Sequence, residues 1–306
     1  MREHLAKKHM RTGDYLDYGV EFYRQHLKTL LIFTAVFHVP VNFLISYLIG
    51  PSVLWEELLE AAEYGLTYDF VFRIYGGAAL QSLYMSTFYY VLLLGIIYFT
   101  YHRIVWDKAY PVRFCLKQGL QRFGWVILWN FVLSTVLSLA LSIVFLLFSF
   151  LLVGVGLAAR SSWVPVAAVL LFVLCLLCAV IYVMIRTYFI PHAVVINRVN
   201  CFEAFKRSMR LTKRHFWRVF RPVLFGAWFT WTIPSVLSLT ALIPIEDPLL
   251  NRILYAAAQA FGALFAPVLF VITTILYIRL QTEQGEIDFL VRLRAMLEAD
   301  GGGAAV

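Results

Sequence analysis

Charge is scarce in this chain. Of its 306 residues, 14% are Asp, Glu, Lys or Arg, where a soluble domain carries about 25%. Apolar residues make up 61% and the mean hydropathy is +0.77. That balance excludes an ordinary water-soluble enzyme, a disordered tail and a secreted disulfide-stapled mini-protein, and it leaves a polytopic membrane protein. Cysteine is scarce as well, and four residues cannot build a convincing disulfide framework. Cys175 and Cys178 form a C-x-x-C inside LFVLCLLCAVIYVM. Apolar surroundings disfavour the thiolate that a metal or redox pair needs, so both read as small core hydrophobes. Cys115 and Cys201 lie in basic stretches expected to be cytoplasmic, where disulfides are rare.

Chemistry-bearing residues are sparse in the apolar runs. No Asp, Glu, Lys or Arg falls in the middle of any of them. The chain thus lacks the buried carboxylate that proton- or sodium-coupled carriers usually use. It contains no Walker loop, no G-x-S-x-G, no H-E-x-x-H and no dinucleotide fingerprint. No catalytic residue, cofactor or metal site is expected. The first 28 residues carry ten charges and no early apolar run, so no cleavable signal peptide is expected either.

Against these absences stand six runs of about 20 apolar residues, each long enough to cross a hydrocarbon core of about 30 Å. They lie near 29–49, 77–101, 125–153, 166–188, 222–245 and 253–277. They predict an all-α fold of six transmembrane helices in one integral membrane domain, with a tail over 282–306. The third run exceeds one perpendicular crossing, so it should tilt, kink or end in the interface.

The basic residues then orient the chain. Of 26 Lys and Arg, 23 fall in the N-terminal segment, the second and fourth connections and the tail; Arg73, Arg160 and Arg252 fall on the other side. The positive-inside rule puts the crowded side, and both termini, in the cytoplasm. The opposite connections are acidic, with Glu56, Glu57, Glu60, Glu63 and Asp69 in the first and Glu246 and Asp247 in the last.

The basic connections carry helical patterning near 14–28, 111–123 and 200–221. In the last, Phe202, Phe205, Met209, Phe216 and Phe220 share one face at 100° per residue, with Leu211 out of place. Lys206, Arg207, Arg210, Lys213, Arg214, Arg218 and Arg221 share the other. Asn200 and Glu203 read as a helix start. Such a helix is expected in the membrane interface, its bases toward anionic head groups. The first stretch aligns Leu16, Val20, Tyr23 and Leu27 against Asp17, Glu21, Arg24 and Lys28, and the middle one aligns Val112, Leu116, Leu120 and Phe123. The chain therefore reads as three units of amphipathic helix, span, outer connection, span. Val136–Leu139 and Val236–Leu239 share the tetrapeptide VLSL, which suits an internal repeat; any even-span protein with basic loops would also look this way.

Three segments resemble the six-span membrane domain of bacterial glycerophosphodiester phosphodiesterases and related inner-membrane proteins. GDYLDYGVEFYRQHLKTLLIFTAVFHVPVNFLI is similar to its opening helix and proline-bearing first span. AFKRSMRLTKRHFWRVF is similar to its Ala-x-x-x-Ser, Leu-Thr, Trp-Arg helix, here Ala204, Ser208, Leu211, Thr212, Trp217 and Arg218. APVLFVITTILYIRLQTEQGEIDF is similar to its closing span, with Pro267, Thr274, Leu276, Tyr277 and Arg279; Ile278 stands where that family usually carries an acid. The resemblance implies a membrane domain and not phosphodiesterase activity, because the catalytic barrel of the fused proteins has no counterpart in this sequence.

The polar candidates for an interior site are His38, Asn42, Asn130, Trp231 and Gln259. Inside a bundle such groups most often bond neighbouring helices. His38, two residues before Pro40, could serve a carbonyl that the proline frees. Pro40, Pro234 and Pro267 interrupt spans, and broken helices mark substrate sites in some transporters. The leading expectation is a non-enzymatic protein whose basic helices engage anionic lipid, with a protein partner or second copy as further candidates. Nucleic acid is not expected, since the aromatics of 200–221 oppose its charges. The alternative is an uncoupled transporter or lipid-moving protein with a cavity lined by Asn42, Asn130, Trp231 and Gln259. A third reading, a lipid-phosphate enzyme, needs His102, His192 and Arg186 to converge, with Asp107 and Arg103 nearby.

Overall fold

The computed structural model describes residues 10–49, 76–158, 163–213, 215–238 and 247–284. Among the described residues the chain is all-helical. The elements are α1 (Thr12–Gln25), α2 (Leu27–Phe33), a π turn (Thr34–His38), α3 (Val39–Ile49), α4 (Gly77–Ser86), α5 (Phe88–Trp106), α6 (Val112–Ala158), α7 (Trp163–Thr187), α8 (Ile190–Ile196), α9 (Cys201–Lys213), α10 (Phe216–Ser238), α11 (Pro248–Ala263) and α12 (Ala266–Glu283).

Among the described residues, five helical stretches are long and apolar enough to cross a membrane: Leu27–Leu48, Ala79–Trp106, Val112–Phe148, Ala167–Ile196 and Leu249–Glu283. The run expected at 222–245 is not among them. Its described helix ends at Ser238, and residues 239–246 lie outside the described residues. The helix expected at 111–123 and the span at 125–153 are one uninterrupted helix, α6. Gly124 alone does not break it, and its 47 residues reach about 70 Å, more than twice the hydrocarbon core. The 200–221 stretch is divided instead: α9 ends at Lys213, and Phe216–Arg221 begin α10. The tail beyond 284 lies outside the described residues.

α12 is the axis of the bundle. Every residue from Ala266 to Gln281 is buried, as a helix apolar on all sides requires in a core. α1, α5 and α10 pack around it. α1 approaches closely because Gly19 faces Ile272, where a β-carbon would lie 2.2 Å from Ile272 Cγ1. α5 and α6 cross equally closely: a β-carbon on Gly119 would sit 3.0 Å from the Val91 carbonyl oxygen and 3.1 Å from the Gly95 nitrogen. Small residues at crossings are how helices approach when burial of apolar area cannot drive association.

The packed faces of the basic stretches differ from the hydrophobic reading. On α9 the buried stripe is Cys201, Ala204, Ser208, Leu211 and Thr212, so Leu211 is fully enclosed, while Phe202 is 63% exposed. On α1 the buried set is Tyr15, Tyr18, Gly19, Phe22 and Tyr23, with Val20 exposed, as is Leu27 at the start of α2. In the first turns of α6, Cys115 and Gly119 are buried and Leu120 is exposed. In each case size-weighted hydrophobicity points to the largest aliphatic and aromatic side chains, whereas close helix approach selects small ones and tyrosines. Cys175 and Cys178 are also not core residues: both are exposed on α7, whose span window is 6% buried.

One end of the bundle is held by charge. Glu283 accepts two hydrogen bonds from Arg218, at 2.9 and 2.9 Å, and a third from Arg279 Nε at 3.2 Å. These bonds join α10 to α12 and keep the Arg218 guanidinium pKa above its ordinary value. Tyr15 of α1 lies beside the pair, and burial raises its hydroxyl pKa. Arg218 is 39% exposed and Arg279 7%, so solvent screens the first pair more than the second. Glu283→Gln is expected to lower stability by roughly 2 kcal/mol, read as a lower unfolding midpoint in detergent. An unchanged midpoint would show that the carboxylate is dispensable.

Candidate functional site

The site begins with interrupted helices. Pro40 has no N–H, and in a regular helix its ring presses on the carbonyl one turn back. The chain answers with the π turn Thr34–His38, in which the Val39 N–H donates to the Thr34 carbonyl. This widened turn relieves the proline, and Thr34 Oγ1 donates to the carbonyls of Leu30 and Leu31. His38 therefore does not serve the freed backbone. Its Nδ1 hydrogen-bonds Tyr84 Oη instead, and the two rings stack at 5.6 Å.

Two more interruptions, and a proline inside an unbroken helix, lie near the same place. α4 and α5 part at Thr87, two residues before Tyr89; Pro234 lies inside α10; α11 and α12 part between Ala263 and Ala266. The last break is tied to α1, since Tyr23 Oη donates to the Leu264 carbonyl at 3.0 Å. Where the four meet is a cavity of about 250 Å³ lined by His38, Asn42, Gln81, Tyr89, Thr230 and Gln259, with Trp231, Pro234, Ser235, Gly262, Ala263 and Ala266. Asn42 Nδ2 donates to the Gln259 carbonyl at 3.1 Å and fixes α3 to α11.

Of the five interior candidates read from the sequence, His38, Asn42, Trp231 and Gln259 share this cavity. Asn130 does not. It lines a separate concavity with Ser82, Ser86, Tyr90 and Ser134, on the far side of Tyr89. Gln81, Tyr84, Tyr89 and Thr230 are additions that the structure makes, although Gln81 is an amide in an apolar run, the same signal that marks Asn42. The lining is rich in hydroxyls and amides, and His38 is the one imidazole among them. It can hydrogen-bond an uncharged polar ligand from several sides; among the described residues it offers no fixed charge to hold an ion.

The basic candidates are spread out. Lys206, Arg210 and Lys213 are exposed along α9, and Arg207 pairs with Glu203 at 2.9 Å. Arg218 is engaged with Glu283, Arg221 is exposed on α10, and Arg214 lies outside the described residues. The three residues of the enzymatic reading occupy separate networks. His102 Nδ1 faces the Tyr98 carbonyl, His192 Nε2 faces Thr273 Oγ1, and Arg186 donates to Tyr182 Oη and the Met209 carbonyl. Arg103 pairs with Asp107. Among the described residues no hydrogen bond joins His102, His192 and Arg186, and no group of three His, Cys, Asp or Glu could hold a metal ion.

The residues that carry the family resemblance have clear structural duties. The α7–α8 break leaves the Arg186 carbonyl and the Phe189 N–H without helical partners; Ser208 Oγ donates to the first at 2.7 Å and accepts from the second at 3.3 Å. Tyr277 Oη donates to Asn197 Oδ1 at 2.6 Å, which Gln281 Nε2 also reaches at 3.1 Å. In comparisons with known proteins, a family model described as Domain of unknown function (DUF7847) matches residues 126–280. No curated protein and no solved structure matches the chain.

Proposed function

This chain belongs to the family described as Domain of unknown function (DUF7847), and from that premise we propose a six-span inner-membrane protein that admits a small uncharged polar solute to its interior, without coupling to an ion. The observation that carries the reading is the convergence of three helix interruptions and the proline within α10 on one polar cavity. Discontinuous spans are where transporters commonly build their sites, because the broken backbone and its neighbours supply polar groups within the apolar layer. At about 30 Å³ per water, the volume suits a handful of waters or one small polyol or amide. Among the described residues the lining has no carboxylate or lysine, which favours an uncoupled process. The sixth span, the repeat of three helix–span–span units and cytoplasmic termini belong to this proposal, as does the likeness to the phosphodiesterase membrane domain.

The test is osmotic. Purified protein in liposomes is exposed to a glycerol or urea step, and vesicle re-swelling is followed by light scattering. Protein-dependent entry of at least one solute is expected, and Asn42→Leu with Gln259→Leu should abolish it without loss of reconstitution. Equal entry into protein-containing and protein-free vesicles would overturn the reading.

The exposed bases of α9 favour a second, compatible role. Lys206, Arg210 and Lys213 point away from the buried stripe, beside the exposed Phe202. An aromatic among bases on an outer face suits the boundary between an anionic leaflet and water.

A further inference from the structure

The outer face of α10 carries one continuous pattern: Trp217, Arg221, Leu224, Trp228, Trp231 and Ser235, spaced four and three apart. Such spacing places all six along a single line of the helix. The face is bare, since Trp217, Leu224, Trp228 and Trp231 are all exposed, Trp231 at 71%. At its N-terminal end a groove of about 640 Å³ is lined by Arg11, Thr12 and Gly13 of the α1 start and by Trp217, Arg218 and Arg221. Further along lies an apolar groove of about 620 Å³ bounded by Leu224, Trp228, Trp231 and Val236. The two are joined by one helical surface, basic at one end and aromatic beyond it.

The charges of the basic groove are unequal. Arg218 is committed to Glu283. Arg11 and Arg221 are exposed and have no side-chain partner among the described residues. Asp14 is the nearby acid on α1, and its Oδ2 is engaged at 2.7 Å by the Arg11 backbone N–H. Two uncommitted guanidiniums thus face one opening, with Trp217 in its wall and Arg221 one turn from the apolar stripe that begins at Leu224. The distance from Arg221 to Trp231 is ten residues, or about 15 Å along a helix, which is half the thickness of a hydrocarbon core. A head-group phosphate and one acyl chain in a single leaflet have this separation of charge and apolar length.

We propose that Arg11 and Arg221 bind the phosphate of an anionic phospholipid whose acyl chain lies along Leu224, Trp228 and Trp231. Guanidinium forks match phosphate oxygens, and tryptophan sits at the level where head group meets chain. The site differs from a diffuse attraction of the α9 bases, because it combines two fixed cations with a chain-length groove. It rests on the membrane placement proposed above and not on the polar cavity.

Native mass spectrometry of the full-length protein, released from micelles containing equal phosphatidylglycerol and phosphatidylcholine, tests the site. Retention of phosphatidylglycerol in preference to phosphatidylcholine is expected. Arg11→Gln with Arg221→Gln should weaken that retention by about 30-fold, from two head-group charges, and Trp228→Ala should shorten retention of both lipids. Lys206→Gln, Arg210→Gln and Lys213→Gln together should leave the preference in place; if they remove it and the arginine variant does not, the attraction is diffuse and the site is overturned. Displacement of the lipid by millimolar inorganic phosphate would make this a free-anion site and would likewise overturn the lipid assignment. All changed positions are exposed, and an unfolding scan of each variant confirms that it folds. The solute-flux assay is a separate readout, so failure of either proposal leaves the other standing.

Discussion

Ser208→Ala should destabilise the protein by roughly 2–4 kcal/mol, although it removes a single oxygen. The hydroxyl is fully buried and serves two backbone groups of another helix pair, the Arg186 carbonyl and the Phe189 N–H. Phe189 is fully buried too, so water cannot take the place of the hydroxyl. A buried donor or acceptor left without a partner loses its full hydration energy, about 1–3 kcal/mol each. Chemical unfolding in mixed micelles, followed by tryptophan fluorescence, measures the change. A loss below about 0.5 kcal/mol would mean that the α7–α8 break relaxes to find other partners. The same variant should loosen the contact of α9 on α8, seen as faster amide exchange at Phe189.

Gly262→Ala carries the second large effect, and it joins stability to function. A β-carbon there would lie 2.5, 2.6 and 2.9 Å from Pro234 Cγ, Cβ and Cα. These atoms belong to a rigid ring and a backbone, so neither can swing aside, and overpacking of this kind costs typically 1–3 kcal/mol. Both residues line the polar cavity; parting α10 from α11 would reshape it. The expected result is a lower unfolding midpoint together with loss of protein-dependent solute entry. Pro234→Gly removes two of the three obstructing atoms and should restore part of the stability in the double variant, a coupling that independent sites would not show. Wild-type stability in Gly262→Ala would mean that α11 can shift outward freely.

The site is partly legible in the amino-acid sequence. His38, Asn42, Trp231 and Gln259 stand out because amides and imidazoles are rare in apolar runs, and Pro40 marks an irregular turn, whereas α10 passes through Pro234 unbroken. Their meeting in one cavity depends on contacts between residues more than 200 positions apart, such as Asn42 with Gln259, which no local pattern encodes. Asn130 carries the same local signal and sits elsewhere, since the face of α6 that meets α5 is set by the Gly95–Gly119 crossing. Gly262 carries no local mark of its importance, and Ser208 is marked by the Ala-x-x-x-Ser motif without a hint of its duty, for a related reason. That importance lies in what is placed opposite them, a proline ring and a broken backbone.

Composition and period alone determined that this chain is helical, that it is built of membrane-length apolar runs and that its charge is lopsided. These follow from local free energies: an apolar segment of about 20 residues prefers hydrocarbon, and in hydrocarbon its backbone must bond to itself. Tertiary structure decided which apolar helices are buried by protein and which are left facing outward. α12 is enclosed from Ala266 to Gln281, while the span window of α6 has none of its residues buried, and the two are alike in hydrophobicity. Lipid tails are as apolar as leucine, so hydrophobicity cannot separate these fates. What separates them is close packing: Gly19 on Ile272, Gly119 on Gly95, Gly262 on Pro234 and Ser208 at a helix break.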